Sequence, residues 1–215
     1  MTRRAASRLA GFFFLFYIAT GITSLVLSRK ALGGAEGAAA LASIAQHATA
    51  LRLSSVLELL TFFDAVALAV GLFALTRHQD RDLAVLALCC RVGEGVLGAV
   101  ASAKTMELVL LASADPASVL GTELLKTGGV FGNAGAICFA VGSTLFAYLF
   151  LRARSIPVWL AWVGLVGSLL LVVGLPLQMA GLHLGLVGYL IWIPVAIYEV
   201  VLGVWLLVKG VAEPQ

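Results

Sequence analysis

The sequence predicts an all-α fold, a polytopic membrane bundle of about six transmembrane helices, and three observations predict it. Hydrophobic residues make up 61% of the chain and charged residues 12%, about half the charged share of a soluble domain. The apolar residues are gathered into six runs, each near the roughly 20 residues needed to cross about 30 Å of hydrocarbon. The connections between runs are short and hold most of the Lys and Arg. A soluble core of this size could not hide so much apolar surface.

The first span covers about 9–27. Arg3, Arg4 and Arg8 ahead of GFFFLFYIATGITSLVLS imitate a secretory signal, but no small-residue cleavage pattern follows, so the run is expected to stay as an anchor. In the connection after it, Leu41, Ile44, Ala48 and Leu51 recur at helical spacing, with Ser43, Gln46 and His47 on the other side. That pattern predicts a short helix, either lying in the outer membrane surface or packed as an alanine-rich lid over the bundle. The second span, about 53–76, and the third, about 83–111, are joined by RHQDRD, short enough to force an antiparallel hairpin. The fourth covers about 128–151, the fifth 158–177 and the sixth 186–208. Pro176 and Pro194 are expected to end or kink the last two. Residues 1–215 form one transmembrane domain.

Arg3, Arg4, Arg8, Arg77, Arg81, Arg152, Arg154 and Lys209 fall on one side of this topology, and Arg29, Lys30, Arg52 and Lys126 on the other. The excess predicts that both termini are cytoplasmic. The net charge of +3 is spread over short connections rather than one basic face, which argues against a nucleic-acid partner. Cys89, Cys90 and Cys138 lie within apolar helices without disulfide or zinc spacing and read as buried small hydrophobes. His47, His78 and His183 are scattered, so no metal or other cofactor is expected.

Hydrophobicity gives helices no drive to associate inside lipid, so small residues mark where backbones approach. Gly128 with Gly132, Gly135, Gly142 with Ser143, and Gly164 with Gly167 and Ser168 are such faces. They serve packing within the monomer, a homodimer seam, or docking of another membrane protein.

Glu58, Asp64, Arg91, Glu94 and Glu199 sit inside these apolar spans, and charge at such depth must face a partner, a cavity or water. Counting outward from the centre of the hairpin connection sets Asp64 level with Gly95, beside Glu94, with Arg91 about one turn away. The same count pairs Glu58 with Lys104 and Arg52 with Glu107. Glu199, about ten residues before Lys209, lies at the level of Asp64 and Glu94. Three acids there face one arginine, which leaves carboxylates to take up a proton or hold a cation. The structural alternative is a permanent Asp64–Arg91 pair, with Glu94 and Glu199 satisfied by neighbours such as Tyr198.

Three function classes follow. The first is binding or transport of a proton, a cation or a small amphipathic solute by a cluster of Glu58, Asp64, Arg91, Glu94, Lys104 and Glu199. Against transport, no internal repeat and no matched pair of interrupted helices is evident. The second is a membrane-embedded enzyme acting on lipid, with Glu94 or Glu199 as base, for which the chain offers no nucleophile elbow, HExxH or Gly-rich phosphate loop. No catalytic residue is assigned. The third is an accessory or sensory subunit whose charge network is purely structural.

Several ordered blocks also carry a resemblance: RLAG, LELLTFFDAVALAVGLFAL, CCRVGEG, FAVGSTLFAYLFLRARSIPVWLAWVGLVGS and YEVVLGVWLLVKG. Together they resemble the bacterial integral membrane family catalogued as domain of unknown function four-three-eight-six, over nearly the whole chain. The resemblance implies a compact bundle of about six helices in the bacterial cell membrane, and it brings no activity or catalytic residue with it. The outer-loop stretch GGAEGAAAL departs from the family's more usual acidic helix start.

Overall fold

Hydrocarbon leaves no water to satisfy backbone N–H and C=O groups, so apolar runs of this length must close their hydrogen bonds internally as helices. The computed structural model describes residues 2–32, 37–127, 129–182 and 184–212. It contains long helices α1 (Arg3–Leu32), α3 (Ala48–Thr76), α4 (Arg81–Ala114), α6 (Gly129–Ala153) and α7 (Val158–Met179). Two shorter pieces, α8 (Val187–Leu190) and α9 (Trp192–Val208), make up the sixth span, and α2 (Gly37–Gln46) and α5 (Val119–Thr127) are short connecting helices. Among the described residues, six helical stretches are long and apolar enough to cross a membrane.

The six spans close into a ring in the order α1, α3, α4, α6, α7, α9 and back to α1. An even number of antiparallel spans puts both termini on one side. There the Ser7 hydroxyl donates to the Leu206 carbonyl at 2.9 Å and Arg3 donates to the Ala212 carbonyl at 3.3 Å. The α3–α4 connection lies on this side too. Asp80 caps α4 by accepting from the Leu83 N–H at 3.1 Å and also meets Arg152 at the end of α6.

Glycines set how closely the ring members approach. A Cβ on Gly11 would come within 2.6 Å of the Leu207 nitrogen and 2.7 Å of the Gly203 carbonyl oxygen, so α1 and α9 cross backbone to backbone. Gly142 lies against Ala87 and the stem of Arg91, Gly164 against the Tyr198 ring, and Gly167 against Val195. The small-residue faces of α6 and α7 are thus used inside the monomer. Gly132 is the exception, since a Cβ there would meet nothing, and Gly128 lies outside the described residues.

The terminal side of the ring is filled by a core that includes Phe146, Phe150, Leu160, Leu202 and Leu206. At the opposite end a second cluster joins Leu41, Ile44, Leu51, Leu108 and Val109. Leu41 and Ile44 are fully buried, so α2 is a lid packed on α1, α4 and α5, and its apolar face looks into the bundle rather than into the membrane surface.

One expectation is corrected here. Cys89 is exposed and Cys90 and Cys138 are half-exposed, so these thiols lie towards the outside of the ring. An outward position there costs a small hydrophobe nothing, because lipid is as apolar as a core. The prolines act as expected, since α7 ends three residues after Pro176 and the sixth span is interrupted at Ile191, three residues before Pro194. Pro176 sits near the end of α7 and Pro194 in the first turn of α9, where the missing N–H has no helical partner to lose. The chain turns between those helices through Gly181 and Gly185, both at positive φ.

Candidate functional site

The centre of the ring is built around Arg91, the largest fully buried side chain at 1% exposure. α4 carries it inward, and its stem lies over Gly142 of α6, where a Cβ would sit 3.1 Å from the Arg91 Cγ. The guanidinium is held between two aromatic faces, 5.2 Å from the Tyr17 ring centre and 4.8 Å from that of Phe139. Phe139 in turn stacks on Trp192 at 6.0 Å. A stack therefore crosses the ring from α1 through α4 and α6 to α9, each cation–π contact contributing about 2 kcal/mol for a cation so desolvated.

Glu94 lies one turn further along α4. Arg91 Nη1 is 2.9 Å from Glu94 Oε2, and the Tyr17 hydroxyl donates to Glu94 Oε1 at 2.5 Å. No acceptor among the described residues aligns with the guanidinium N–H groups. The attachment of Arg91 is thus one of charge and ring faces more than of directed hydrogen bonds.

A cavity of 340 Å³ opens beside this stack, between α1, α3, α4, α6 and α9. Its wall carries three carboxylates, Glu58, Glu94 and Glu199, together with Tyr17, Phe62, Phe139 and Trp192. Among the described residues, no Lys, Arg or His is in that wall. Among the described residues the Glu199 carboxylate has no hydrogen-bond or ion-pair partner, although its residue is buried. Glu58 accepts from the Ser24 hydroxyl at 3.2 Å, at the edge of a hydroxyl cluster with Ser54 and Ser28.

At about 1.5 Å per residue, Glu94 lies roughly 20 Å along α4 from Arg81 and Glu199 about 14 Å from the end of α9, which is mid-membrane depth for both. Glu58 lies about 27 Å along α3 from Thr76, close to the far boundary of a roughly 30 Å slab. The cavity therefore runs from the middle of the membrane towards the side opposite the termini. Gly98 and Gly132 in its wall both face empty space, and Gly132 is exposed, which places the opening there.

The structure brings together Glu58, Glu94 and Glu199, with Arg91 directly behind Glu94. It does not bring Asp64 or Lys104 to them. Gly95 packs on Phe62, where the count from the connection predicts Asp64, and the Ser102 hydroxyl donates to the Ser55 carbonyl, where the count predicts Leu57. A two-residue offset turns a helical side chain through about 200°, so Phe62 fills the place expected for Asp64. Asp64 is buried towards Thr20 of α1 instead. No Asp64–Arg91 pair forms. Lys104 lies over the Phe131 ring, and neither it nor Arg52 pairs with Glu58 or Glu107 among the described residues, so the expected ladder of charge along the hairpin is absent there. His183 lies outside the described residues.

Sequence reasoning missed Tyr17, Phe139 and Trp192. An aromatic in an apolar span reads as core or lipid contact, and only the closing of α9 onto α1 puts these rings around the charges.

No curated protein and no solved structure matches the chain. Residues 9–210 match the family model described as Domain of unknown function (DUF4386), a match spanning all six candidate membrane helices apart from the first residues of α1. This ring of six apolar helices is thus a member of that family.

Proposed function

We propose that the central cavity is a binding site for a small amphipathic cation, reached from the side of the membrane opposite the termini. The observation that supports this reading most is the composition of the wall, three carboxylates with no basic residue among those described. Arg91 stands behind Glu94 and is already held by that carboxylate and two rings. A cation between Glu94 and Glu199 meets negative charge where water is largely excluded, and each such pair at about 4 Å is worth on the order of 4 kcal/mol at an effective dielectric constant near 20.

The remaining wall selects for an apolar body. Phe62, Phe139 and Trp192 present ring surface, and 340 Å³ lies at the small end of the roughly 300–1,000 Å³ of ligand pockets. A protonated amine bearing one aromatic or branched alkyl group fits both requirements. A proton or an inorganic cation satisfies the carboxylates but makes no use of the apolar wall. The excess of Lys and Arg on the side of the termini supports cytoplasmic termini, and with them a cavity that faces outward.

The test uses purified protein and three probes of one shape, 3-phenylpropylammonium, 3-phenylpropanol and 3-phenylpropanoate, followed by calorimetry. The ammonium is expected to bind at least about tenfold more tightly than either of the others, a difference of about 1.4 kcal/mol. Glu199→Gln is expected to abolish that preference. Equal binding of all three probes, or a preference that survives Glu199→Gln, counts against the proposal.

A further inference from the structure

A second chamber, of 220 Å³, lies beneath the lid at the end opposite the termini. Leu32, Ile44, Leu51, Leu108, Leu124 and Leu125 form most of its wall, and among the described residues Lys104 is its one charged group. The hydroxyls that reach it are engaged elsewhere, since Thr105 donates to the Ala101 carbonyl at 3.1 Å and Ser28 shares a hydrogen bond with Ser54 at 2.7 Å. The Lys104 ammonium lies 4.8 Å from the Phe131 ring centre, and among the described residues it has no ion-pair partner. Glu58, the acid expected to neutralise it, is turned towards Ser24.

Lys104 lies about 35 Å along α4 from Arg81, which is the level where hydrocarbon gives way to headgroups. A lysine at that depth ordinarily runs its stem out to water. Here it lines a leucine-walled hollow capped by a helix whose Leu41 and Ile44 are fully buried. Positive charge over an apolar hollow at the headgroup level is complementary to one kind of molecule.

We infer that this chamber binds a single-chain anionic amphiphile, in its simplest form a fatty acid, with the carboxylate on Lys104 and the first methylenes among the leucines. The volume supports a partial fit. At about 30 Å³ for each water-sized group, 220 Å³ holds roughly seven, enough for a headgroup and the carbons next to it, with the rest of the chain lying along the bilayer. The chamber does not share a lining residue with the central cavity, and the two have opposite charge.

Gly129 gives a way to close the chamber without disturbing the backbone, because it lines the hollow and a Cβ there would meet nothing. The experiment measures binding of laurate, dodecanol and dodecylammonium to the full chain in a neutral maltoside detergent by native mass spectrometry. Laurate is expected to bind at least about tenfold more tightly than the other two. Lys104→Gln should remove that preference, Lys104→Arg should keep it, and Gly129→Phe should lower laurate binding at least about tenfold. Glu199→Gln should leave laurate binding unchanged, which separates this chamber from the cation site. Equal binding of the three headgroups, or laurate binding that survives both Lys104→Gln and Gly129→Phe, overturns the inference.

Discussion

Arg91 and Glu94 stand one turn apart on α4, and the 2.9 Å contact between them commits the arginine at mid-membrane to a carboxylate of its own helix. Glu199 comes to the same cavity from the other side of the ring with no such partner. The asymmetry between these two acids underlies the predictions that follow.

Removing the arginine alone strands Glu94. Arg91→Met is expected to destabilise the bundle by about 3–5 kcal/mol, the scale for breaking one half of a buried ion pair. Adding Glu94→Gln to that variant should recover part of the loss, because the stranded charge goes with it. Reversible unfolding in mixed micelles checks both. Equal stability of the single and double variants contradicts the pairing.

The Tyr17 hydroxyl holds the second oxygen of Glu94. Tyr17→Phe keeps the ring over Arg91 and removes that bond, and the expected cost is about 1.5–3 kcal/mol, the range for hydrogen bonds to charged groups. Tyr17→Leu should cost more, because the cation–π face is lost as well. If the phenylalanine and leucine variants unfold alike, the ring contact carries no weight.

Glycines separate packing from space. Gly11→Leu sets a side chain against the backbone of α9, so the folded yield is expected to collapse. Gly98→Leu and Gly132→Leu enter open space in the cavity wall, so both variants should fold normally while binding of 3-phenylpropylammonium falls at least about tenfold. Size-exclusion profiles read the first effect and calorimetry the second. Normal binding in both plug variants places the ligand elsewhere.

The outward position of Cys89 is open to a chemical check. A lipid-soluble maleimide is expected to modify Cys89 first among the three thiols in folded protein, and intact-mass analysis of Cys→Ala variants assigns the site. Protection of Cys89 relative to Cys138 runs against the placement.

The spans and the short helix after the first were legible because length, apolar content and the 3.6-residue period act locally: Leu41 and Ile44 repeat on one face whatever they pack against, which is why the pattern left open whether that face meets the membrane surface or the bundle. The depth of Arg91, Glu94 and Glu199 was legible for the same reason, since rise per residue converts position into height. Direction around each helix axis was not. The two-residue offset between α3 and α4 exchanges Asp64 for Phe62 at the site, and a sequence gives no hint of it because the offset is set by how Phe62 and Gly95 interlock. The closure of α9 onto α1 lies equally beyond sequence reading. That contact brings Trp192 and Glu199 to the cavity, and the Ser24 hydroxyl of α1 holds Glu58 away from Lys104.

The most direct test of the cation site is a structure of the protein with 3-(4-bromophenyl)propylammonium, whose bromine can be located by anomalous scattering. The site predicts bromine among Phe62, Phe139 and Trp192, with the ammonium between Glu94 and Glu199. Bromine found only on the outer, lipid-facing surface, with the central cavity unchanged, contradicts it.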